Sequence, residues 1–496
     1  MKHLILIGLL ALYSPIVYGA FSINDIWEIE PVSGSDNNGC GWDAASSGSD
    51  FTTSIIQTFN GTSITCTSVG AGTYLTCSGD SPNANQVGNT LHTSGGTNVI
   101  APYFFRITAI NTGTHVYTTD RNVTSGAAAA LTGVFGGPCQ TPYATFISSV
   151  ASGNAIYFKD EAVFSISSTV VTQVAGSITA TTAPNRWIGY TTSRSDRGRA
   201  RFQLVTTATA AFTLSLTAQS VENFDIDCNN LSVSTGILVT VGGAATEQIL
   251  NVKIRNGCGG GINSTSAGTV SISSTEVTGV IGNAAITASA GTLTEYFNNW
   301  IHDNTATGIN QTSPMVALWN VISNNTGATS DGLRVGSITS IIAMNTIHGS
   351  GRDNIRSSGA SFPNNPVSII KNNLLTSPGE YNFVGGNLTA GTGAAWRFDG
   401  NAYNLGPGVT NRFDLDDTGT GNKSNAIGTY TNNEDVIMST DPYVNVAGND
   451  FRLNSLATSG AMAKYSGFPP SVVGLSQSGY PDFGAYQTKP QFGYGD

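Results

Sequence analysis

The sequence predicts an all-β chain wound as a parallel β-helix (solenoid), with a β-rich N-terminal module and a C-terminal cap. Three observations point there. First, short triplets recur down the second half: Asn299-Trp300-Ile301, Asn320-Val321-Ile322, Asn345-Thr346-Ile347, Asn372-Asn373-Leu374 and Asn401-Ala402-Tyr403. Their first asparagines are spaced by 21, 25, 27 and 29 residues. A drifting period in the twenties suits a coil that adds one turn per repeat and stacks each Asn amide on the last. Second, short apolar alternations are separated by turn residues, with 59 glycines in 496 residues. Third, 40% of residues are hydrophobic and 10% are charged, which supplies a core and argues against disorder.

Residues 1–19 read as a secretory signal peptide: Lys2, then an apolar run from Leu4 to Leu12, then Val17-Tyr18-Gly19 before a cut. That run is too short to span a bilayer, and no later segment approaches the length required. Removal of Lys2 takes the formal net charge from −10 to −11. Such a chain is a poor general partner for nucleic acid or anionic membranes, which need basic clusters. The expected location is therefore secreted or cell-surface.

Residues 20–140 show no repeat and read as the N-terminal module, with Tyr103 to Ile110 as one of its strands. The coil is expected over 141–405 and a capping region over 406–496. Within the coil, Phe224-Asp225-Ile226 and Val252-Lys253-Ile254 begin rungs, and Val277 follows one period later. Gly261-Ile262, Gly308-Ile309 and Gly332-Leu333 recur at the next bend, where glycine permits unusual backbone angles. The triplets set the phase. Ile301, Ile322, Ile347 and Leu374 should point inward, and His302, Ser323 and His348 outward.

Six cysteines in an exported chain favour disulfides, and six allow 15 pairings. Cys66 and Cys77 flank a Gly-rich turn and suit a hairpin link. Cys228 and Cys258 lie about one coil turn apart. Cys40 with Cys139 then remains by elimination, and buried free thiols are the alternative. No CxxC or Cys/His spacing suggests a metal.

Candidate chemistry is sparse. His302 and His348 should lie two rungs apart, about 10 Å along the axis. With Arg352 and Asp353 close by, a histidine beside a carboxylate and an arginine could act on an acidic sugar. The bland reading is a solvated outer face. Trp300 is an outward aromatic suited to stacking on a sugar ring. Arg197, Arg199 and Arg201 alternate, as on one strand face, and could grip carboxylates or pair with nearby acids such as Asp196. Asp225 and Asp227 share a strand face, where solvation or calcium is a commoner fate than catalysis. Asp414, Asp416 and Asp417 before a Gly turn suit Ca²⁺ or a solvated turn.

A resemblance accompanies these patterns. Pro142-Tyr143-Ala144-Thr145-Phe146-Ile147, leading to Gly153-Asn154-Ala155-Ile156-Tyr157-Phe158-Lys159, resembles the opening of right-handed β-helix proteins of the pectin-lyase-like class, with Asn154 where Asp is usual. Asp441-Pro442-Tyr443-Val444-Asn445, Asn449-Asp450-Phe451-Arg452-Leu453 and Pro481-Asp482-Phe483-Gly484-Ala485-Tyr486-Gln487 resemble the closing segment of secreted and phage-associated members. Gly34 to Gly39, Gly48 to Phe51, Ile188-Gly189-Tyr190 and Arg194 to Arg201 are similar to a phage and environmental bacterial subgroup. The resemblance implies a right-handed coil and says little about activity, because this fold hosts enzymes, adhesins and inert fibres. The Arg-x-Pro-x-x-Arg of pectate lyases is absent, and Ile347-His348-Gly349 matches one part of the polygalacturonase set without its partners. The leading expectation is a non-catalytic protein that binds a polysaccharide or cell-surface glycan, or that is structural or adhesive. The alternatives are a polysaccharide lyase or glycoside hydrolase with a diverged site, and a self-assembling homo-oligomer or filament.

Overall fold

The computed structural model describes residues 25–463 except 60–63, 69–71, 101–103, 143–152, 168–169, 172–184, 206–209, 216–217, 243–245, 283, 290, 292, 337–339, 358–366, 386–394, 406–412, 415–430 and 434–435. The expected signal peptide, the Tyr143 to Ile147 opening segment, Asp416, Asp417 and the Pro481 to Gln487 ending lie outside the described residues. The described chain is almost wholly β and forms two compact units, one of 20–227 with 245–248, the other of 228–244 with 249–496. No helix among the described residues is long and apolar enough to cross a membrane.

In the first unit, Asp25–Ile29 pairs in parallel with Ala155–Lys159, which pairs with Asn185–Tyr190, which pairs with Gln219–Asp227. Trp27, Ile156, Trp187 and Val221 fall in one register column, all buried. Phe158, Phe202, Phe212 and Phe224 pack ring to ring beside them, with centroids 4.8–5.5 Å apart. Thus Asp25–Ile29 joins the parallel sheet, shielding a strand edge that would otherwise be open. The rest of the N-terminal region forms a seven-stranded antiparallel sheet around Phe59, Leu75, Leu91, Phe105, Tyr117 and Phe135. Cys66 and Cys77 are cross-strand partners in it and are disulfide-bonded. Cys40 is linked to Cys139 across 99 residues, and Cys228 to Cys258 across 30. Loops of these lengths restrict the unfolded chain by about 3–5 kcal/mol each in the chain-entropy picture.

The second unit is a parallel β-helix. One rung runs Leu293–Phe297, Trp300–His302, Thr307–Gln311, and the next Met315–Leu318, Val321–Ser323, Leu333–Val335. Further rungs follow through Thr346–His348, Leu374–Thr376 and Ala402–Asn404, each strand paired in parallel with its counterpart one turn on.

The corner before each short strand explains the asparagine repeat. Asn298, Trp319, Met344, Asn372 and Gly400 adopt left-handed backbone with φ of 51–56°. The next residue is the ladder asparagine. Asn299, Asn320, Asn345 and Asn373 each donate an Nδ2 hydrogen bond of 2.9–3.0 Å to Oδ1 of the ladder asparagine one rung on, ending at Asn401. The backbone N–H of each donates to that same oxygen at 2.9–3.0 Å. Spare Nδ2 hydrogens go to the carbonyls of Ile272, Tyr296, Ala317, Ile342 and Ile370. A second corner repeats the device, with Asn304 bonded to Asn325 and Asn354 to Asn382.

Two expectations are corrected. The fourth ladder residue is Asn373, and Asn372 is the left-handed corner residue. Leu375 therefore aligns with Ile347, while Leu374 aligns with Thr346 on the outward side. Asparagine tolerates the left-handed region, so two in succession hide the phase. Second, Gly261, Gly308 and Gly332 are not among the positive-φ residues. Their role is close approach: a Cβ at Gly332 would lie 2.5 Å from Ile347 Cγ2, and one at Gly308 2.8 Å from Ile322 Cγ2. The inward isoleucines fill the space that these missing side chains leave.

Asn345→Ala should lower unfolding free energy by about 2–4 kcal/mol, since it strands buried donors and acceptors on both neighbouring rungs. Gly332→Ala should cost about 1–3 kcal/mol through overpacking against Ile347. Denaturant titration with a coil-specific probe measures both.

Candidate functional site

The outward side of the short strands carries the first candidate. Lys253, Glu276, Trp300 and Val321 occupy one register column, and Thr278, His302, Ser323, His348, Thr376 and Asn404 the next. His302 and His348 do share an outward column two rungs apart, yet each is only 6% exposed.

Their surroundings differ. His302 Nδ1 lies 2.8 Å from Asp303 Oδ2, and its Nε2 lies 3.3 Å from Glu276 Oε1. Lys253 Nζ holds Glu276 Oε1 at 2.9 Å, and Asn324 donates to Asp303 Oδ1 at 3.2 Å. Burial pushes the Glu276 carboxyl up, but the bonds from His302 and Lys253 outweigh it and bring it down to about 2. The half-buried Trp300 ring stacks on His302 with centroids 3.9 Å apart at 21°. The imidazole is clamped by its neighbours, and the half-buried Trp300 also packs against the apolar cluster that includes Val321 and Leu374. Both imidazole nitrogens face carboxylates, so neither is presented to a ligand.

His348 Nδ1 meets Thr376 Oγ1 at 2.8 Å, and its ring packs against Tyr443 and Phe451, with centroids 5.4 and 5.8 Å away. Burial lowers its proton affinity, partly offset by Asp441. It is covered by the C-terminal segment.

Arg352 and Asp353 belong to another network. Arg352 clasps Asp331 with bonds of 2.9 and 2.8 Å, Arg334 reaches Asp331 at 2.8 Å, and Arg356 reaches Asp353 at 2.9 Å. Both aspartates are fully buried. Burial, with Asp331 alongside, pushes the Asp353 carboxyl up to about 7 against the pull of Arg356 and Arg352. The four residues considered for catalysis therefore form three separate environments.

In the first unit the basic stretch also divides. The strand begins at Ala200, and Arg197 sits in a turn with φ 57°, so Arg197 and Arg199 do not alternate along a strand with Arg201. Turn geometry replaces the expected extended backbone because Asp196 gathers the N–H groups of Thr191, Thr192, Ser193 and Gly198. Arg201 Nε bonds Asp160 at 2.8 Å and lies in register with Asp225. Asp225 and Asp227 both lie half-buried on their strand. In the second unit, Asp414 continues the column of Arg334, Arg356 and Val384. No group of three or more His, Cys, Asp or Glu among the described residues could hold a metal ion.

The structure gives Arg194, legible in the sequence only as the first member of the basic run, a separate role. Arg194 is the hub of a buried network: it binds the fully buried Glu28 at 2.6 Å and Asp50 at 2.6 Å, and it lies over the Tyr157 ring at 4.9 Å. Tyr190 donates to Glu28 at 2.5 Å. Burial pushes the Glu28 carboxyl up to about 7, with Arg194 and Tyr190 opposing. A cleft of about 540 Å³ opens beside it, lined by Glu30, Ser33, Lys159, Glu161, Tyr190 and Arg194 among others. Lys159 fills its acidic part, reaching Glu161 at 2.9 Å and Glu30 at 3.2 Å. One signal was available: Trp27-Glu28-Ile29 places a charge in an apolar strand, which requires a buried partner.

With their folded-state carboxyls pushed up to about 7, Glu28 and Asp353 retain protons below that pH that unfolding releases, and are ionised above it. Their penalties should grow as pH rises from the ordinary carboxylate range to about 7. Glu28→Gln and Asp353→Asn should each flatten the loss of stability between pH 5 and pH 7.5. Arg194→Met should destabilise by about 3–5 kcal/mol, since it leaves Glu28 buried without its countercharge. Denaturation at the two pH values checks all three.

No family model matches the chain, and no curated protein matches it. Solved structures similar to it include pectate lyase Pel9A, at 14% identity and a TM-score of 0.48, covering 71% of this chain and 92% of that one. The periplasmic alginate epimerase AlgG follows at 12% identity and a TM-score of 0.32, covering 59% and 80%. The GH136 lacto-N-biosidase from Eubacterium ramulus is 12% identical with a TM-score of 0.36, covering 61% and 64%.

Proposed function

We propose that this is an exported β-helical protein that binds a polysaccharide or cell-surface glycan through the Trp300 platform and does not cleave it. The observation that carries this reading is the clamped Trp300–His302 stack. A rigid, half-buried indole offers a sugar ring an apolar face at little entropic cost. Asp303, bonded to the stacked His302 and itself exposed, supplies a hydrogen-bond acceptor for hydroxyl groups. A general acid or base needs a ring nitrogen or carboxyl within reach of a ligand. Here His302 faces two carboxylates, His348 lies beneath Tyr443, and Asp353 is fully buried. The signal-like residues 1–19 and the three disulfides support passage into an oxidising compartment.

Retention on a panel of neutral and acidic polysaccharides tests the proposal, with released fragments measured in parallel. Wild type should be retained on at least one polymer without shortening it. Trp300→Ala should weaken that retention about tenfold or more, a loss of about 1.4 kcal/mol. Chain shortening that His302→Ala abolishes would overturn the non-catalytic reading in favour of a diverged lyase or hydrolase.

A further inference from the structure

The chain from Asp441 to Ala463 leaves the winding path and lies along the outward face. Tyr443–Asn445 and Asp450–Leu453 form an antiparallel pair, followed by the short helix Gly460–Ala463. Tyr443, Phe451, Leu453 and Ala463 share one apolar cluster with Val321, Leu374 and Ala402 of the coil. These three coil residues stand on the outward side of their strands, where solvent would otherwise meet them.

We propose that this segment is an acid-released strap, with His348 as the proton-sensitive group beneath it. Four observations carry the proposal. The imidazole is 6% exposed and lies under both Tyr443 and Phe451, so a charge there would be covered by two aromatic rings. Its Nδ1 is held by Thr376 Oγ1, and that hydroxyl also meets Tyr443 Oη at 3.0 Å, so one polar chain joins coil, histidine and strap. Asp441 on the strap is the charged group that acts on the ring, while its coil-side column neighbours Ser323 and Thr376 are uncharged. The strap is held to the coil by one shared apolar cluster and, among the described residues, by the polar tie between Thr376 Oγ1 and Tyr443 Oη.

The direction of the effect follows from burial. The closed form disfavours the imidazolium, and the open form has a histidine near its ordinary value of 6.5. Opening therefore takes up a proton. Above that value the strap's closure is independent of His348. Below it, the closed-to-open ratio falls by up to about tenfold per pH unit until the covered ring itself protonates. Asp441 opposes release by favouring the charged ring while the strap is closed.

Hydrogen exchange on the full-length protein between pH 8 and pH 5, corrected for intrinsic rates, tests the strap without any glycan. Protection of amides in Tyr443–Asn445 and Asp450–Leu453 should fall by up to about tenfold per unit below pH 6.5, while Leu293–Phe297 stays constant. His348→Gln, which keeps a side chain able to bond Thr376, should remove the fall. Asp441→Asn, which keeps the acceptor for the Tyr443 N–H, should leave the onset near 6.5 and carry the fall to lower pH, so that protection at pH 5 drops below that of wild type. A wild-type strap whose protection tracks that of Leu293–Phe297 throughout would overturn the proposal. So would an undiminished fall in His348→Gln, or a smaller total fall by pH 5 in Asp441→Asn than in wild type.

Discussion

The asparagine ladder is the constraint on which the rest of the second unit depends. A parallel coil must bend between strands, and a bend leaves peptide groups that no strand partner can satisfy. One amide side chain per rung answers this. Its oxygen accepts from the amide and the backbone N–H of the rung before, and its nitrogen reaches a carbonyl of that rung as well as the next ladder oxygen. Buried and shielded from water, such a chain is worth much more intact than with one member missing. It also locks each turn in register with its neighbour. That register decides which residues line the core, which stack outside, and where any site can form.

Much of this was readable from the sequence, and the places where it was not have physical causes. The period and the inward Ile301, Ile322 and Ile347 follow from local pattern. Asn372 and Asn373 defeat the pattern because asparagine suits both the left-handed corner and the ladder. The glycines at 261, 308 and 332 were legible as a repeat but not as a packing device, since their neighbour is an isoleucine of a different strand. His302 and His348 were correctly placed outward, but outward is not exposed. Whether a strap crosses the face depends on a contact about one hundred residues away in sequence, of which no local window carries a sign. Arg194 looked like one more member of a basic run. Its function in the fold is set by Glu28, 166 residues earlier.

Stacking has a further consequence for charge. Outward residues in register recur roughly every 4.8 Å, so an unpaired charge would face its like on the next rung unless the sequence alternates. The chain does alternate in places: Lys253 stands over Glu276, and Arg201 is in register with Asp225. A histidine set among such pairs, as His302 is between Glu276 and Asp303, becomes part of the electrostatic filling of the face. This is why histidine, arginine and aspartate can be close in sequence and still form no shared centre.

Arg334 and Arg356 are the instructive exception, since they are like charges in direct register. They are tolerated because each turns back three residues to a buried carboxylate, Asp331 or Asp353, with Arg352 bridging the two. The cost is displaced onto the acids. Burial, with Asp331 alongside, pushes the Asp353 carboxyl up to about 7. A raised carboxyl in a cleft is often read as a catalytic acid. Here the same shift arises from resolving a stacking conflict at a corner, in a group closed off from solvent. On a coil of this kind a perturbed carboxyl points to function only when it also faces an open surface. That condition directs attention away from Asp353 and Glu28 and back to the half-open indole of Trp300.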